Sequence, residues 1–352
     1  AEQCSLTLKD VGFEVILVDT PVKRMDIQGE YLRKNIKKER CCGHHEFVKL
    51  FAYMLPEEIV VHVDIDFLFL KPLDHLFDAI HFDKNSPEGK AARSLIELER
   101  PNEKLPDRIG AFITRDWPQV KPKSFRPAYQ AGFLVARRDP SVMTEMIKII
   151  KEGNYSDGWG MKYGWGNKGY GGYVGAMAMQ GLVGYYYDHV RLDNAVELNQ
   201  CRYNHMGMDT LYRHDPNFRK NKWEGKCRSG LNACEQCMET DVEKIYNIHY
   251  TMCKKPWTCI SEGKPGGRKV IMDEWQVNLD HCHMLQQKWH EQRRDFETKL
   301  YNLTSDETIK EGFSGTYKTK IFFGHCAGDR DGNYTNISGR EETMKKVLEL
   351  YS

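Results

Sequence analysis

The stretch VVHVDIDFLFL (residues 60–70) holds two carboxylates, Asp64 and Asp66, in a segment that is otherwise almost wholly apolar. Its apolar character predicts a buried strand, and burying a charge is costly unless an opposite charge or hydrogen-bond donors compensate it. Because residues i and i+2 of a strand share a face, the two carboxylates are expected to project together. Like charges this close repel each other unless a cation lies between them. The segment therefore predicts a site for a divalent ion, Mn²⁺ or Mg²⁺, at the end of a strand.

An Asp-x-Asp pair is, on its own, a weak indication of a metal site. The carboxylates could instead cap a helix at a solvated edge of the sheet. Aspartyl phosphatases also place such a pair after an apolar strand, but they continue with a small-residue turn where this chain has Phe67-Leu68. His62 shares the strand face of the pair and is either a further ligand or a core histidine. A second pair, Asp329-x-Asp331, lies in a polar glycine loop, where solvated carboxylates are expected.

The order of strands and helices around this stretch predicts an α/β protein. Continuous apolar strands alternate with amphipathic helices, which is the pattern of a parallel sheet with both faces covered. Strands are predicted at residues 13–19, 60–70, 109–117 and 130–138, and helices at residues 46–55, 71–80, 141–153 and 270–302. Ligands of open α/β sheets bind at the carboxyl ends of the strands. The carboxylate pair is therefore expected at the functional edge of the sheet.

Size and charge narrow the classes of protein to which the chain can belong. Its 352 residues suffice for one large domain or two modest ones. We place a boundary near residue 262, so that residues 1–262 carry the carboxylate pair and residues 263–352 form an extension with a long helix and glycine-rich loops. Lys and Arg (51) balance Asp and Glu (50), which indicates no basic surface for nucleic acid. The apolar stretches are too short for a membrane span, so a membrane anchor is expected only outside this chain.

Eleven cysteines together with four Asn-x-Ser/Thr sequons indicate an oxidising, lumenal compartment. The sequons lie at Asn154, Asn302, Asn333 and Asn336. Disulfides are the expected state of most of the cysteines. Alternatively, Cys234-x-x-Cys237 is half of a zinc site completed by a residue such as Cys227 or Cys253.

Four features, spread over roughly residues 6–260, belong together. In chain order they are the helix with Lys49 that leads into residues 60–70, the strand YQAGFLV (residues 129–135), the pair Gly171-Gly172, and His249 followed by Lys255-Pro256-Trp257. With these features the chain resembles glycosyltransferase family 8, the glycogenin-like retaining nucleotide-sugar transferases. The spacing between the histidine and the Lys-Pro-Trp triplet is the most specific of the four.

The resemblance implies a GT-A-type, Rossmann-like mixed sheet, mostly parallel and flanked by helices, whose first strand lies upstream of Ala1. It implies a catalytic domain over residues 1–262, in which Asp64, Asp66 and His249 bind Mn²⁺ or Mg²⁺. Asp64 would also lie close to the donor. The other implied substrate contacts are Lys255 at the diphosphate and Gln130, both with catalytic roles, and Lys49, Gly171, Gly172 and Tyr173.

Two segments depart from the family pattern. Members usually carry Gly-Gly-Asp-Gln-Gly where this chain has GGYVG (residues 171–175), so Tyr173 stands in place of an acid. They carry Asn-Ser-Gly where this chain has QAG (residues 130–132). Recognition of the acceptor therefore cannot be carried over from the family.

The resulting prediction is metal-dependent transfer of a hexose from a nucleotide sugar, UDP-linked, to a glycan or glycoprotein acceptor with retention of configuration. The predicted location is the lumen of the secretory pathway, in the Golgi. The alternative is a catalytically degenerate module on the same fold that binds a nucleotide sugar or glycan, and the substitution at Tyr173 motivates it. A zinc or redox protein built on the cysteines is the third hypothesis.

Overall fold

The computed structural model describes residues 13–39, 43–99, 104–116, 119–120, 128–207, 237–251, 253, 255–256 and 279–303. The described residues from 19 to 249 belong to one compact unit, and those at 13–18, 250–256 and 279–303 belong to a second. The domain boundary predicted near residue 262 lies outside the described residues and stays a prediction.

Helices and strands alternate along the first unit, which confirms the α/β class. The helices are α1 (Glu30–Asn35), α2 (Asp74–His81), α3 (Pro87–Leu98), α4 (Pro140–Glu152) and α5 (Met179–Tyr185), with α6 (Leu279–Leu303) in the second unit. The strands are β1 (Ile59–Val63), β2 (Phe67–Phe69), β3 (Ala111–Arg115), β4 (Tyr129–Arg137), β5 (Tyr155–Ser156), β6 (Gly164–Trp165), β7 (Ala195–Leu198) and β8 (Asn247–His249). A 3₁₀-helix, Gly43–Tyr53, precedes β1.

The main sheet is mixed, in the order β1-β4-β3-β7. Strand β4 runs antiparallel to β1 and to β3, whereas β3 and β7 are parallel. Strands β1, β3 and β7 therefore point in the same direction and β4 is reversed. As a result, the carboxyl ends of β1, β3 and β7 and the amino end of β4 lie at the same end of the sheet, which we call its carboxyl edge.

Both faces of the sheet are buried, because side chains of β4 alternate between two apolar clusters. Leu134 packs with one cluster, which includes residues of α4 and α5. Phe133 and Val135 pack with the other, which includes residues of α2 and α3. This two-sided burial explains why β4 reads as a continuous apolar run and not as an alternating one.

Sequence signals at the helix ends agree with the structure. The carboxylate of Asp139 caps α4 by accepting a hydrogen bond from Ser141 N (3.0 Å), with Pro140 in the first turn. The same helix ends at Gly153, whose φ of +64° suits glycine. The hydroxyl of Ser86 caps α3 in the same way.

Three local predictions were wrong. The strand predicted at residues 60–70 is two strands, β1 and β2, and residues 64–66 form the turn between them, so a shared strand face is not what brings the two acids together. Residues 13–20 form no strand; Ile16 and Leu17 are 57% and 76% exposed, so their apolar side chains lack the packing that a buried strand requires. The predicted helix at 46–55 is instead the 3₁₀-helix Gly43–Tyr53. Its apolar face still packs on the sheet through Phe47 and Leu50, which is why the spacing was informative.

The prediction that the cysteines form disulfides is confirmed for the four cysteines that the structure describes. Cys201 is bonded to Cys237 within the first unit, and Cys253 to Cys282 within the second. The alternative zinc site cannot use Cys237 or Cys253, because both sulfurs are in disulfides. Among the described helices, none combines the length and the hydropathy that crossing a membrane requires.

Candidate metal centre

Asp64, Asp66 and His249 converge at the edge where β1, β3 and β7 end. Asp64 follows β1, Asp66 precedes β2 and His249 is the last residue of β8. The antiparallel pairing of β2 with β8 sets Phe67 opposite His249, which brings the histidine next to the acids although it is distant in sequence. One ligand atom from each of the three side chains lies within 4.8 Å of the others. The sequence prediction of these three residues as one group is confirmed as a geometric fact.

The imidazole of His249 is buried and points one nitrogen at the carboxylates. Its Nε2 lies 3.3 Å from Oδ1 of Asp66 and 3.9 Å from Oδ2 of Asp64. Its Nδ1 is hydrogen-bonded to Oδ1 of Asn204 at 2.8 Å. The ring also packs on Phe67, with centroids 4.6 Å apart. These contacts fix the ring plane and leave Nε2 directed at the acids.

Lys49 pairs with Asp64. Its Nζ lies 2.7 Å from Oδ1 of Asp64 and donates a second bond, of 3.3 Å, to the carbonyl oxygen of Ala131. His62 does not take this role, because burial, together with the charge of Lys49, lowers the pKa of His62 to about 4. Its Nε2 is 3.9 Å from Oδ1 of Asp64. His62 is therefore neutral near pH 7 and lies outside the group of three.

Gly132 gives the three ligands the space that they occupy. A Cβ atom at this position would lie 2.5 Å from Cε1 of His249 and 2.7 Å from Oδ2 of Asp64, well inside the van der Waals contact distance of about 3.5–4.0 Å. The backbone carbonyl of Gly132 also accepts a 2.9 Å hydrogen bond from Asp64 N. Only glycine fits here without displacing a ligand.

The donor set fits a divalent cation. Two carboxylates and one imidazole supply hard oxygen and borderline nitrogen ligands, which Mn²⁺ accepts and which leave coordination positions open. The second nitrogen of the imidazole is hydrogen-bonded to the amide oxygen of Asn204, and metal-binding histidines usually engage their second nitrogen with an oxygen acceptor.

Gln130 and Asp116 lie at the same edge of the sheet. Gln130, predicted as a site residue, is buried; its Oε1 accepts a 2.7 Å bond from Gly132 N, and its Nε2 lies 3.7 Å from the sulfur of Met206. Asp116 directly follows β3 and is also buried, which raises the pKa of its carboxyl. Its Oδ2 accepts a 2.8 Å bond from Gln119 Nε2.

Asp116, Gly132 and Asn204 were not identified as site residues from the sequence. The sequence pattern could have indicated Asp116, because it is a polar residue at the end of an apolar strand. Gly132 and Asn204 had no such signal, because their importance depends on which strands are neighbours. Strand order and register are not legible in one sequence.

The glycine loop around Gly171 and Gly172 packs on the backbone and on aromatic side chains. A Cβ at Gly171 would lie 2.8 Å from Gly164 Cα, and one at Gly172 would lie 1.9 Å from Cδ1 of Trp159. Tyr173 is 7% exposed and its ring packs in a small apolar cluster. Burial raises the pKa of the Tyr173 hydroxyl well above its usual range. A substrate role for these residues stays a prediction.

Lys255 belongs to the second unit. Its Nζ donates a hydrogen bond to the carbonyl oxygen of Tyr250. Pro256 follows it, and Trp257 lies outside the described residues. The contact of Lys255 with a diphosphate remains a prediction.

No family model matches the chain, and no curated protein does either. Among solved structures, the chain is similar to mouse xyloside xylosyltransferase 1 in its apo form, with 11% identity and a TM-score of 0.33 over 71% of this chain and 80% of that one. A likeness this weak supports no conclusion about fold or function. The site is therefore interpreted from its own residues.

Proposed function

We propose that the protein is a metal-dependent glycosyltransferase that moves a hexose from a nucleotide sugar, UDP-linked, to a glycan or glycoprotein acceptor with retention of configuration. The observation that carries this proposal is the convergence of Asp64, Asp66 and His249 at the carboxyl edge of the sheet. The resemblance to glycosyltransferase family 8 adds the donor class and the stereochemistry, and it supports a GT-A-type fold.

Asp64, Asp66 and His249 would hold Mn²⁺ or Mg²⁺. A bound ion would supply Lewis-acid neutralisation of the charge on a diphosphate leaving group. Lys49 pairs with Asp64, and its ammonium group would face the donor. Lys255 would add positive charge at the diphosphate. These roles combine hard carboxylate oxygens, one imidazole nitrogen and lysine cations, a set that suits a divalent ion beside a diphosphate.

Gln130 would orient the sugar that reacts. Its Oε1 is fixed by Gly132 N, so the rotamer of the amide is set by the backbone beside the metal ligands. The Nε2 group, whose described partner is the weak acceptor sulfur of Met206, could donate to a sugar hydroxyl. Gly171, Gly172 and Tyr173 would close the substrate site from the neighbouring loop.

The secretory pathway, and within it the Golgi, is the proposed location. The two disulfides among the described residues support an oxidising compartment. The donor and acceptor proposed here are those of lumenal glycosylation. Nucleic acid is not a proposed partner.

A donor screen tests the proposal. The protein is incubated with UDP-glucose, UDP-galactose, UDP-xylose and other UDP-sugars in Mn²⁺, and release of UDP is followed with and without EDTA. We expect release from at least one donor, its loss in EDTA and its recovery on adding excess Mn²⁺. The Asp66→Asn variant serves as the control for release that does not depend on this site. Absence of metal-dependent binding of UDP in the wild-type protein would contradict the proposal.

A degenerate binding module is the second candidate function. Its supporting observation is Tyr173, which stands where the family carries an acid and whose ring is packed in an apolar cluster. The same screen separates the two functions. Metal-dependent binding of UDP measured by calorimetry, without turnover of any donor or acceptor, would favour the module.

A further inference from the structure

Asn204 lies behind the candidate metal centre and touches His249 directly. It is fully buried and adopts a φ of +55°, a left-handed conformation in which asparagine is enriched. Three hydrogen bonds hold it: its backbone N donates to Oδ1 of Asn247 (2.6 Å), its Nδ2 donates to the hydroxyl of Thr114 (2.6 Å), and its Oδ1 meets Nδ1 of His249 (2.8 Å). These bonds hold the amide of Asn204 beside the imidazole of His249.

The segment that carries Asn204 is braced against β8. His205 N donates to the carbonyl of Asn247, and His249 N donates to the carbonyl of His205. The disulfide between Cys201 and Cys237 fixes the start of the segment. The amide of Asn204 and the imidazole of His249 are therefore held by the same backbone ladder.

The direction of the hydrogen bond to His249 decides which ring nitrogen can bind a metal. An amide oxygen can only accept, so the contact with Oδ1 of Asn204 requires a proton on Nδ1. A neutral imidazole carries one N–H, which leaves Nε2 with a free electron pair. That nitrogen is the one 3.3 Å from Asp66 and 3.9 Å from Asp64.

We propose that Asn204 is a positioning residue that holds His249 in the tautomer protonated on Nδ1, with Nε2 ready to coordinate a divalent cation together with Asp64 and Asp66. This inference rests on the proposed metal-dependent function and assigns a role outside the three ligands. Without the amide oxygen of Asn204, His249 can carry its proton on Nε2 and donate it to Asp66. A metal ion must then displace that proton before it can bind Nε2. Partners of this kind typically change metal affinity by about 10–100-fold.

Mn²⁺ binding to purified variants tests the role. The signal of free Mn²⁺ in electron paramagnetic resonance gives the dissociation constant directly. Asn204→Leu has nearly the same size and no acceptor, so we expect Mn²⁺ affinity to fall by about 10–100-fold. Asn204→Asp keeps acceptor oxygens for both His249 and the Thr114 hydroxyl, so its affinity should equal or exceed that of the wild type.

Asn199 offers a matched control on the same segment. It is buried, and its Oδ1 accepts a 2.9 Å bond from Cys201 N. Asn199→Leu therefore removes a buried local hydrogen bond without touching His249, and we expect Mn²⁺ affinity within 2-fold of the wild type. A folded Asn204→Leu variant that binds Mn²⁺ as tightly as Asn199→Leu would overturn the proposal.

Nitrogen-15 correlation spectra of the metal-free wild type give an independent reading. The His249 resonances are assigned by their loss in His249→Gln. We expect the Nδ1–H tautomer in the wild type and in Asn199→Leu, and its replacement by a mixture or by the Nε2–H tautomer in Asn204→Leu. An Nε2–H tautomer in the wild type would refute the positioning role whether or not the variants fold. Failure of the wild type to bind Mn²⁺, with the Nδ1–H tautomer present, would refute the proposed function and leave the hydrogen bond standing.

Discussion

Two polar clusters occupy the same end of the main sheet, and they differ in how their hydrogen bonds are satisfied. Consecutive residues of β3 lead to them: Thr114 bonds to Asn204 and so to the metal centre, while Arg115 bonds to Glu197 on β7 and to Tyr129 on β4. We call the first the His249 cluster (Asp64, Asp66, His249 and Asn204). We call the second the Arg115 cluster (Arg115, Tyr129, Tyr170, Asp188 and Glu197).

The Arg115 cluster contains hydrogen-bond donors for its own carboxylates. The guanidinium donates to Oε2 of Glu197 from Nε (3.1 Å) and from Nη2 (3.0 Å), and Nη2 also donates to the hydroxyl of Tyr129 (2.6 Å). That hydroxyl donates to Asp188 (2.9 Å), as does the hydroxyl of Tyr170. A network that pairs its charges with donors in this way has a structural role.

The His249 cluster gathers acceptors. Two carboxylates and the Nε2 of a histidine whose other nitrogen is engaged lie within 4.8 Å of one another. Lys49 compensates one of the acids. The comparison teaches that buried charge alone does not indicate a cation site, whereas convergence of acceptor atoms does.

Replacing the arginine should cause the largest loss of stability. Arg115→Met leaves Glu197 and Asp188 without their cation, and breaking a buried pair in this way costs about 3–5 kcal/mol. Urea unfolding measures the loss, with the exposed Arg108→Met as a control expected within about 0.5 kcal/mol of the wild type. The Mn²⁺ affinity of the folded fraction should stay unchanged. A loss of metal affinity would show that the two clusters are one functional unit.

Removing a candidate metal ligand should lower metal affinity strongly and change the free energy of unfolding little. Asp66→Asn is expected to lower Mn²⁺ affinity by more than about 100-fold, since changes around the ligands alone cost about 10–100-fold. Metal-dependent binding of UDP should disappear with it. The free energy of unfolding without metal should change little, because the substitution also relieves repulsion between Asp64 and Asp66.

Asp188→Asn is the matched control for the ligand variant. It makes the same chemical change in the Arg115 cluster, so it should destabilise the fold and leave Mn²⁺ binding intact. If Asp66→Asn still bound UDP in a metal-dependent way, the assignment of the His249 cluster as the metal site would be wrong. Loss of folding in that variant would instead assign the pair a structural role.

The sequence revealed the three candidate ligands but not their support, for a physical reason. Asp64 and Asp66 stood out as two acids inside an apolar run, although they lie in the turn between β1 and β2 and not on one strand. His249 stood out because its spacing to the Lys-Pro-Trp triplet resembles that of a known family. Gly132 and Asn204 become important only through the pairing of β1 with β4 and of β2 with β8. The strand predicted at 13–19 failed for a related reason, since apolar residues form a strand only where a neighbour pairs with them.

Enlarging Gly132 should give an intermediate effect. In Gly132→Ala the new methyl group must push His249 or Asp64 away, since it would lie 2.5 Å and 2.7 Å from their atoms. We expect Mn²⁺ affinity to fall by about 10-fold, as misplaced ligands do elsewhere. Calorimetric titration of metal, with thermal unfolding as the check on folding, measures it. An unchanged affinity would mean that the ligands are not seated against this glycine.

Replacing Lys49 should change Mn²⁺ affinity the least. Whether the affinity rises or falls shows whether Lys49 competes with the metal for Asp64. The ammonium competes with a metal for Asp64, but the pair is partly exposed, with 32% of the Asp64 side chain accessible, and such pairs are worth about 0.2–1 kcal/mol. Lys49→Met should therefore raise Mn²⁺ affinity by about 3-fold and lower the unfolding free energy by less than about 1 kcal/mol. Binding of UDP-sugar in saturating Mn²⁺ should weaken in the same variant if Lys49 faces the donor, whereas Lys49→Arg should restore it. A fall in Mn²⁺ affinity in Lys49→Met would show that the lysine positions Asp64 for the metal and does not compete with it.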